Sequence, residues 1–171
     1  YWLHNGLVNV NGQKMSKSLG NSIFAHDLLH QGSPLAVRYY LGSAHYRSVL
    51  DFHDGVLEEA QAALDRIESF LVRGSRRLAL TKYQVELTDV FAALPDKFVE
   101  AMNDDLNVPA ALAVLHETVR SGNAAIDSDE LAEASKAVAA VTAMLNVLNL
   151  DSQSTQWRGR ADFAARSALA E

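Results

Sequence analysis

The residues best suited to chemistry in this sequence lie in one short basic segment near its start. The segment consists of Lys14, Met15, Ser16, Lys17 and Ser18. Two ammonium groups with hydroxyl groups beside them complement the oxygens of a polyphosphate. A lysine that meets phosphate oxygens only in the transition state lowers a reaction barrier instead of merely tightening binding. Charge alone favours a solvated basic turn, because surface lysines are common, and only the order of the five residues reverses that preference.

Short elements are predicted on either side of this basic segment. A strand is predicted before it, ending at the Asn-Gly turn signal of residues 11–12, and its apolar residues are Leu7, Val8 and Val10. A short helix is predicted after it, over residues 25–30. Ser33 as the cap and Pro34 in the first turn predict a further helix to about residue 44. We expect one face of that helix to carry Val37, Tyr40 and Leu41.

From about residue 54 onward, apolar residues recur at the three- and four-residue spacing of one helix face. The first stripe comprises Leu57, Ala60, Leu64, Ile67 and Leu71. The basic, glycine-containing stretch 73–77 is predicted to end this helix. The second stripe comprises Leu87, Phe91, Leu94, Phe98 and Met102. Pro95 lies inside it and is expected to kink or split the helix, since proline removes a backbone donor.

Two further stripes complete the predicted bundle. The third stripe follows a cap at Asn107 and a first turn at Pro109, and it comprises Leu112, Leu115, Val119 and Ile126. Gly122 is expected to weaken the last turns of this helix. The fourth follows an expected cap at residues 127–129, and it comprises Leu131, Ala134, Val138, Val141, Leu145 and Leu148. A last helix is predicted to begin near Asp162. The predicted fold class is therefore mainly α, with a short mixed segment followed by an antiparallel helical bundle.

Composition limits the classes of function that the chain can serve. The 171 residues are 49% hydrophobic, which is enough for an ordinary core and argues against disorder. No apolar run of 18 residues occurs, so we expect no membrane span. The net charge of −6 argues against a surface that coats nucleic acid, although local basic patches remain available. No cysteine is present, so this sequence offers no thiolate zinc site.

The order of residues 14–18 resembles the KMSKS signature of class I aminoacyl-tRNA synthetases. The surrounding blocks narrow the resemblance to cysteinyl-tRNA synthetases. These blocks are residues 1–10, Leu19-Gly20-Asn21, residues 43–48 (Ser-Ala-His-Tyr-Arg-Ser) and residues 103–112 (Asn-Asp-Asp-Leu-Asn-Val-Pro-Ala-Ala-Leu). They recur in that family in the same order, and the resemblance extends from Tyr1 to about Leu150.

The resemblance implies a C-terminal fragment that lacks most of the catalytic domain and is inactive alone. Residues 1–53 would be the end of the catalytic domain with the KMSKS loop and a stem-contact segment. Residues 54–150 would be the helical bundle on the anticodon side, and residues 151–171 a loose connector with the start of a helix. The whole enzyme would use ATP and Mg²⁺, with Zn²⁺ held by ligands outside this chain. It would act on cysteine and tRNA(Cys) as a cytoplasmic monomer that does not bind a membrane.

The resemblance also assigns roles to individual residues. Lys17 is the stronger candidate for contacting ATP phosphates, and Lys14 supports the loop, which we expect to be mobile without nucleotide. Further candidates for contacting the tRNA backbone are His45, Arg47, Arg76 and Arg77, although the first two could simply tie helix ends together. The run Asn103-Asp104-Asp105 suggests a metal site, but a capping and interhelix role is favoured because its two adjacent carboxylates precede a helix entrance.

Two alternatives from other classes remain open at this point. One is a fragment of the related ligase that joins cysteine to a glucosaminyl-inositol and needs no tRNA. Asn5-Gly6 and the intact residues 18–21 favour the synthetase over that ligase. The other is a non-catalytic RNA-binding or helical interaction module.

Overall fold

A β-hairpin and one added strand carry the basic segment. The computed structural model describes residues 2–83 and 91–152, and its three strands are β1 (Val8–Val10), β2 (Gln13–Lys14) and β3 (Leu50–Phe52). Their order is β2-β1-β3, with β1 antiparallel to β2 and parallel to β3. Asn11 and Gly12 both have positive φ, 50° and 76°, as the tight turn of a two-residue hairpin requires. The predicted strand and turn are therefore confirmed, whereas β2 and β3 were not predicted.

Helices form most of the rest of the described chain, which confirms the predicted mainly α fold class. They are α1 (Ala25–Gln31), α2 (Pro34–Ser43), α3 (Val56–Leu78), α4 (Asp96–Asn103), α5 (Val108–Asp127) and α6 (Leu131–Leu148). Two predicted caps are confirmed. The Ser33 side chain accepts a hydrogen bond from the backbone N–H of Ala36 at 3.1 Å, and that of Asn107 accepts one from Ala110 at 3.2 Å. Each satisfies an amide that would otherwise be unpaired in a first helical turn.

The end predicted for α3 at residues 73–77 is wrong, because the helix continues to Leu78. Gly74 lies buried where α3 meets α6, and a Cβ atom on it would stand only 2.5 Å from a methyl group of Val138. This glycine permits a close helix contact and does not stop a helix. Pro95 does split the second stripe, as predicted, since it caps α4. Leu87 of that stripe lies outside the described residues, and Phe91 is 77% exposed.

Three other local expectations fail or fall outside the description. Leu41 is 51% exposed and does not belong to the buried face of α2. No side chain caps α6, whose N-cap residue is Glu130. The acidic side chains expected there instead pair with arginines of α3, because that helix runs alongside: the pairs are Arg73–Asp127 and Arg77–Asp129. The helix predicted near Asp162 lies outside the described residues.

The main core lies between α3, α4, α5 and α6. Its fully buried large side chains include Ile67, Phe70, Leu78, Phe98, Leu115, Val141 and Met144. A second cluster joins α2 to the first half of α3. Within the described residues one helix, α6, is long and apolar enough to cross a membrane, but half of that window is buried in the bundle. A core helix passes the same test, so α6 is weak evidence for a membrane span.

A polar contact ties α2 to α5 beside this core. The hydroxyl of Tyr39 lies 2.6 Å from Nε2 of His116. Burial, with a smaller effect from Arg66, lowers the pKa of His116, so its imidazole is held neutral near pH 7. The same burial raises the pKa of Tyr39. Both shifts keep the pair uncharged, which suits its position between packed helices.

Substituting Gly122 by alanine is expected to destabilise the bundle. A Cβ atom at this position would lie 2.5 Å from Cζ of Phe70 and 2.8 Å from Cβ of Ala137. Overpacking of this kind destabilises a protein by about 1–3 kcal/mol. The higher helix propensity of alanine offsets up to about 1 kcal/mol of this loss. Urea unfolding measures the difference. The matched control is Gly42→Ala in α2, where the nearest atom is 4.0 Å away, and it should be neutral or stabilising. Equal behaviour of the two variants would refute the predicted clash.

Candidate functional site

The basic segment leaves the hairpin in a fixed direction because its first residues are tied to the sheet. Lys14 ends β2, where it pairs with Asn9 of β1. The next amide, that of Met15, donates to the carbonyl of Val8 at 3.0 Å. The sulfur of Met15 in turn lies 3.4 Å from the backbone nitrogen of Ile23 and accepts from it. The segment is thus anchored at its start and touches the chain that follows it.

Serine and asparagine side chains shape the loop itself. Ser16 caps a single 3-10 turn over Lys17–Leu19, and its Oγ accepts from the N–H of Leu19 at 3.3 Å. Asn21 closes the loop from the other side, since its Oδ1 accepts from the N–H of Ser16 at 2.8 Å and its Nδ2 donates to the Lys14 carbonyl at 3.2 Å. Ser18 lies 3.1 Å from Ser16, hydroxyl to hydroxyl. These contacts give the two serines a role in shaping the loop.

Both lysine ammonium groups remain available to an anion. Lys14 and Lys17 are exposed, and neither takes part in an ion pair within residues 2–83 and 91–152. The loop therefore presents two cations on a hydrogen-bonded frame, which is an arrangement suited to phosphate oxygens. The described residues contain no group of three or more side chains suited to hold a metal ion.

The segment after α2 forms a cluster around one carboxylate of the bundle. Asp105 lies between α4 and α5, and its Oδ1 accepts from the hydroxyl of Tyr46 at 2.7 Å. Its Oδ2 lies 2.9 Å from Nη2 of Arg47 and 3.7 Å from Nε2 of His45. The guanidinium of Arg47 also donates to the Tyr46 hydroxyl at 2.9 Å. The hydrogen bond to Tyr46, followed by the charge of Asp105, raises the pKa of Arg47, so this residue stays cationic.

This cluster bears on two predictions. His45 and Arg47 do tie structural elements together, and the Arg47 side chain is still 65% exposed and can meet a phosphate. Of Asn103, Asp104 and Asp105, Asp105 joins the α4–α5 turn to the segment after α2, so its contact is not the interhelix contact that was expected. The sequence did not show that the contact runs to residues 45–47. The one local signal for this contact was the pair of adjacent carboxylates, Asp104 and Asp105, shortly before the Asn107 cap.

The arginines of α3 differ in how far they are neutralised. Arg73 and Arg77 pair with Asp127 and Asp129 respectively. Arg76 is exposed, and no ion pair within the described ranges involves it. Arg76 lines a groove of about 360 Å³, and residues at the end of α6 line the same groove. Of the two arginines predicted from the sequence, Arg76 therefore carries the more available charge.

Family comparisons place this loop and this bundle in one class of protein. A family model described as "tRNA synthetases class I (C) catalytic domain" matches residues 1–62, and one described as "DALR domain" matches residues 97–151. The first contains the basic loop and the second contains Asp105 and most of the bundle. The class is therefore that of the class I aminoacyl-tRNA synthetases.

The relatives narrow the class to one family. Cysteine–tRNA ligases from Clavibacter sepedonicus, Clavibacter michiganensis subsp. michiganensis and Leifsonia xyli subsp. xyli are 62%, 60% and 59% identical to the chain. Each match covers 99% of this chain, and the chain spans 36%, 36% and 35% of the three relatives. The chain is thus homologous over nearly its whole length to about a third of a cysteine–tRNA ligase, which confirms the resemblance found in the motifs.

A solved structure agrees at the level of the fold. LeuRS of Agrobacterium radiobacter K84, in a ternary complex with tRNA and LeuAMS, superimposes with a TM-score of 0.62 at 19% identity. The match covers 85% of this chain and 20% of that one. At this identity the likeness supports the shared fold alone.

Proposed function

We propose that this chain supplies the ATP-phosphate loop and the tRNA-contacting helices of a cysteine–tRNA ligase. The observation that carries the proposal is the exposed Lys17 on a hydrogen-bonded loop, inside the stretch matched by the class I catalytic-domain model. The whole protein would activate cysteine with ATP and transfer it to tRNA(Cys). We also propose that it is a cytoplasmic monomer, and that the division at residues 53 and 150 separates its functional parts.

In the proposed reaction the cysteine carboxylate attacks the α-phosphorus of ATP. A carboxylate oxygen forms the new bond, the bond to the bridging oxygen breaks, and pyrophosphate departs with the electron pair. Negative charge grows on the departing group, so an ammonium group that meets it at that moment stabilises the transition state. Lys17 takes this role and Lys14 supports it. Mg²⁺ would accompany the nucleotide and screen the charge of its phosphates. In the whole enzyme, Zn²⁺ would be held by ligands outside this chain, which contains no cysteine.

The proposal is tested by amino-acid-dependent ATP–pyrophosphate exchange with the full-length protein. Exchange that requires cysteine and is not supported by serine or alanine is the expected result. A protein that binds RNA but exchanges no pyrophosphate with any amino acid would instead be the non-catalytic module. The assay therefore separates an adenylating enzyme from a binding protein before any acceptor is added.

The tRNA-contacting surface is proposed to include Arg47 and His45 on one side and Arg76 and Arg77 on α3. Substituting Arg76 by alanine should weaken tRNA(Cys) binding and reduce the slope of log K against log salt by about 1, because one phosphate contact is lost. Arg77→Ala should have a smaller effect, since Asp129 already offsets its charge. Filter binding over a salt series measures both.

A matched control for this prediction is Arg120→Ala. Arg120 is an exposed arginine of α5 that pairs with Glu117 within its own helix. Its removal should leave the salt slope unchanged. If Arg76→Ala and Arg120→Ala behave alike, Arg76 does not contact RNA.

A further inference from the structure

We propose that Asp105 is a positioning residue that sets the place of the phosphate-loop hairpin relative to the helical bundle. The proposal rests on the function proposed above for that loop. A chain of contacts connects Asp105 to the loop. It runs from the α4–α5 turn, through residues 45–48, to β1 and the loop. Every step involves described residues, and none requires a ligand.

The first step is the convergence of three side chains on one carboxylate. Tyr46 and Arg47 occupy different oxygens of Asp105 and are also bonded to each other through the Tyr46 hydroxyl. His45 stacks on Tyr46, with ring centroids 4.8 Å apart. Charge-assisted hydrogen bonds are stronger than neutral ones, and a shared network fixes orientation better than a single bond. Loss of this one carboxylate therefore removes the contacts of all three side chains with the α4–α5 turn.

The backbone conformation of the α4–α5 turn places the Asp105 carboxylate next to residues 45–47. Asp105 and Leu106 both have φ of 55°, in the left-handed region that residues with side chains rarely adopt. Two hydrogen bonds hold the turn, from Asn107 N–H to the Ala101 carbonyl at 3.1 Å and from Val108 N–H to the Leu106 carbonyl at 2.7 Å. Uncommon backbone of this kind persists where its surroundings determine it. The turn thus belongs to the bundle and moves with it.

The second step runs from Tyr46 to β1. The carbonyl of Tyr46 accepts a hydrogen bond from the N–H of Gly6 at 2.6 Å. A Cβ atom on Gly6 would lie 2.0 Å from the Ser48 carbonyl oxygen, so the two backbones meet where no side chain fits. Immediately beyond, the N–H of Leu50 donates to the Leu7 carbonyl at 3.0 Å and β3 pairs with β1. A shift of residues 45–48 is therefore transmitted directly to β1.

The last step connects β1 to the loop. β1 pairs with β2, and the Met15 amide bonds to Val8 of β1. On the other edge, the Asp51 side chain accepts from the N–H of Gly12 at 2.8 Å and so fixes the hairpin turn to β3. Lys17 therefore takes its position from a hairpin whose neighbouring strand continues the segment that Asp105 holds. This gives the bundle a physical means of influencing the loop.

Hydrogen exchange in the 171-residue chain tests the proposal without substrate. Asp105→Asn keeps the size of the side chain but removes its charge, and should speed exchange of the Gly6, Leu50 and Met15 amides by about tenfold. Amides of α6 such as those of Val141 and Met144 should be unaffected. The control is Asp104→Asn, which changes the adjacent carboxylate that no ion pair of the described residues uses. Tyr46→Phe, which removes one of the two strong contacts, should give a smaller acceleration at the same amides.

Three outcomes decide the matter. Acceleration confined to Gly6, Leu50 and Met15, absent in Asp104→Asn, supports a positioning role. Unchanged exchange at Gly6 and Met15 overturns it, because the carboxylate would then not govern the hairpin. Equal acceleration at all amides also overturns it, since Asp105 would then only stabilise the fold. Because the measurement needs no enzymatic activity, its failure is distinct from failure of the proposed adenylation.

Discussion

Replacing Lys17 by alanine in the full-length protein is expected to slow cysteine-dependent ATP–pyrophosphate exchange by roughly 10²–10³, or about 3–4 kcal/mol of transition-state stabilisation. The reason is that its exposed ammonium group, carried on a loop closed by Ser16 and Asn21, is proposed to meet phosphate oxygens as the charge on them grows. Cysteine binding should change little, because Lys17 does not contact the amino acid in this proposal. Steady-state exchange kinetics with varied ATP and varied cysteine separate the two effects.

Two comparisons make the Lys17 result interpretable. Lys14→Ala should have a smaller effect, since Lys14 ends β2 and supports the loop. Lys136→Ala removes an exposed lysine that pairs with Glu133 on α6, and it should leave exchange unchanged. Unaltered exchange in Lys17→Ala would remove this residue from the reaction.

Replacing Phe70 by alanine is expected to have the largest effect on stability. Phe70 is 1% exposed in the main core, and its ring is what a Cβ atom at Gly122 would strike. A buried phenylalanine cut to alanine typically costs about 3–5 kcal/mol, which is a fifth or more of the roughly 5–15 kcal/mol by which folded proteins are stable. Equilibrium unfolding in urea measures the loss as a lower transition midpoint.

The matched control for Phe70 is a phenylalanine outside the core. Phe24 is 54% exposed and contacts His26 by ring stacking. Phe24→Ala should lower the free energy of unfolding by less than about 1 kcal/mol. A loss in Phe70→Ala no larger than the loss in Phe24→Ala would contradict the core described for α3, α5 and α6.

Local signals in the sequence predicted the parts of the fold that depend on local chemistry. The Asn-Gly turn, the Ser33 and Asn107 caps and the break at Pro95 each follow from the conformational preference of one or two residues. The apolar stripes likewise follow from helical periodicity. These features need no knowledge of which elements are neighbours. The structure confirms them except for the second stripe, in which Phe91 is exposed and Leu87 lies outside the described residues.

What the sequence did not reveal depends on contacts between distant residues. Gly74 looked like a helix end because glycine often is one, yet its lack of a side chain serves the contact with Val138 on α6. The parallel pairing of β3 with β1 has no signature in either short strand. In the candidate site, the order of residues 14–18 was enough to identify the loop. The link from Asp105 to residues 45–47 could be seen only once the α4–α5 turn was in place.

The acceptor of the activated cysteine distinguishes the proposed enzyme from the related ligase. The measurement is transfer of radiolabelled cysteine by the full-length protein, in the presence of ATP, to tRNA(Cys) or to a glucosaminyl-inositol. We predict ATP-dependent esterification of tRNA(Cys) and no product with the glucosaminyl-inositol. Formation of an amide between cysteine and the glucosamine amino group, without charging of tRNA(Cys), would contradict the proposal that this chain forms part of a cysteine–tRNA ligase.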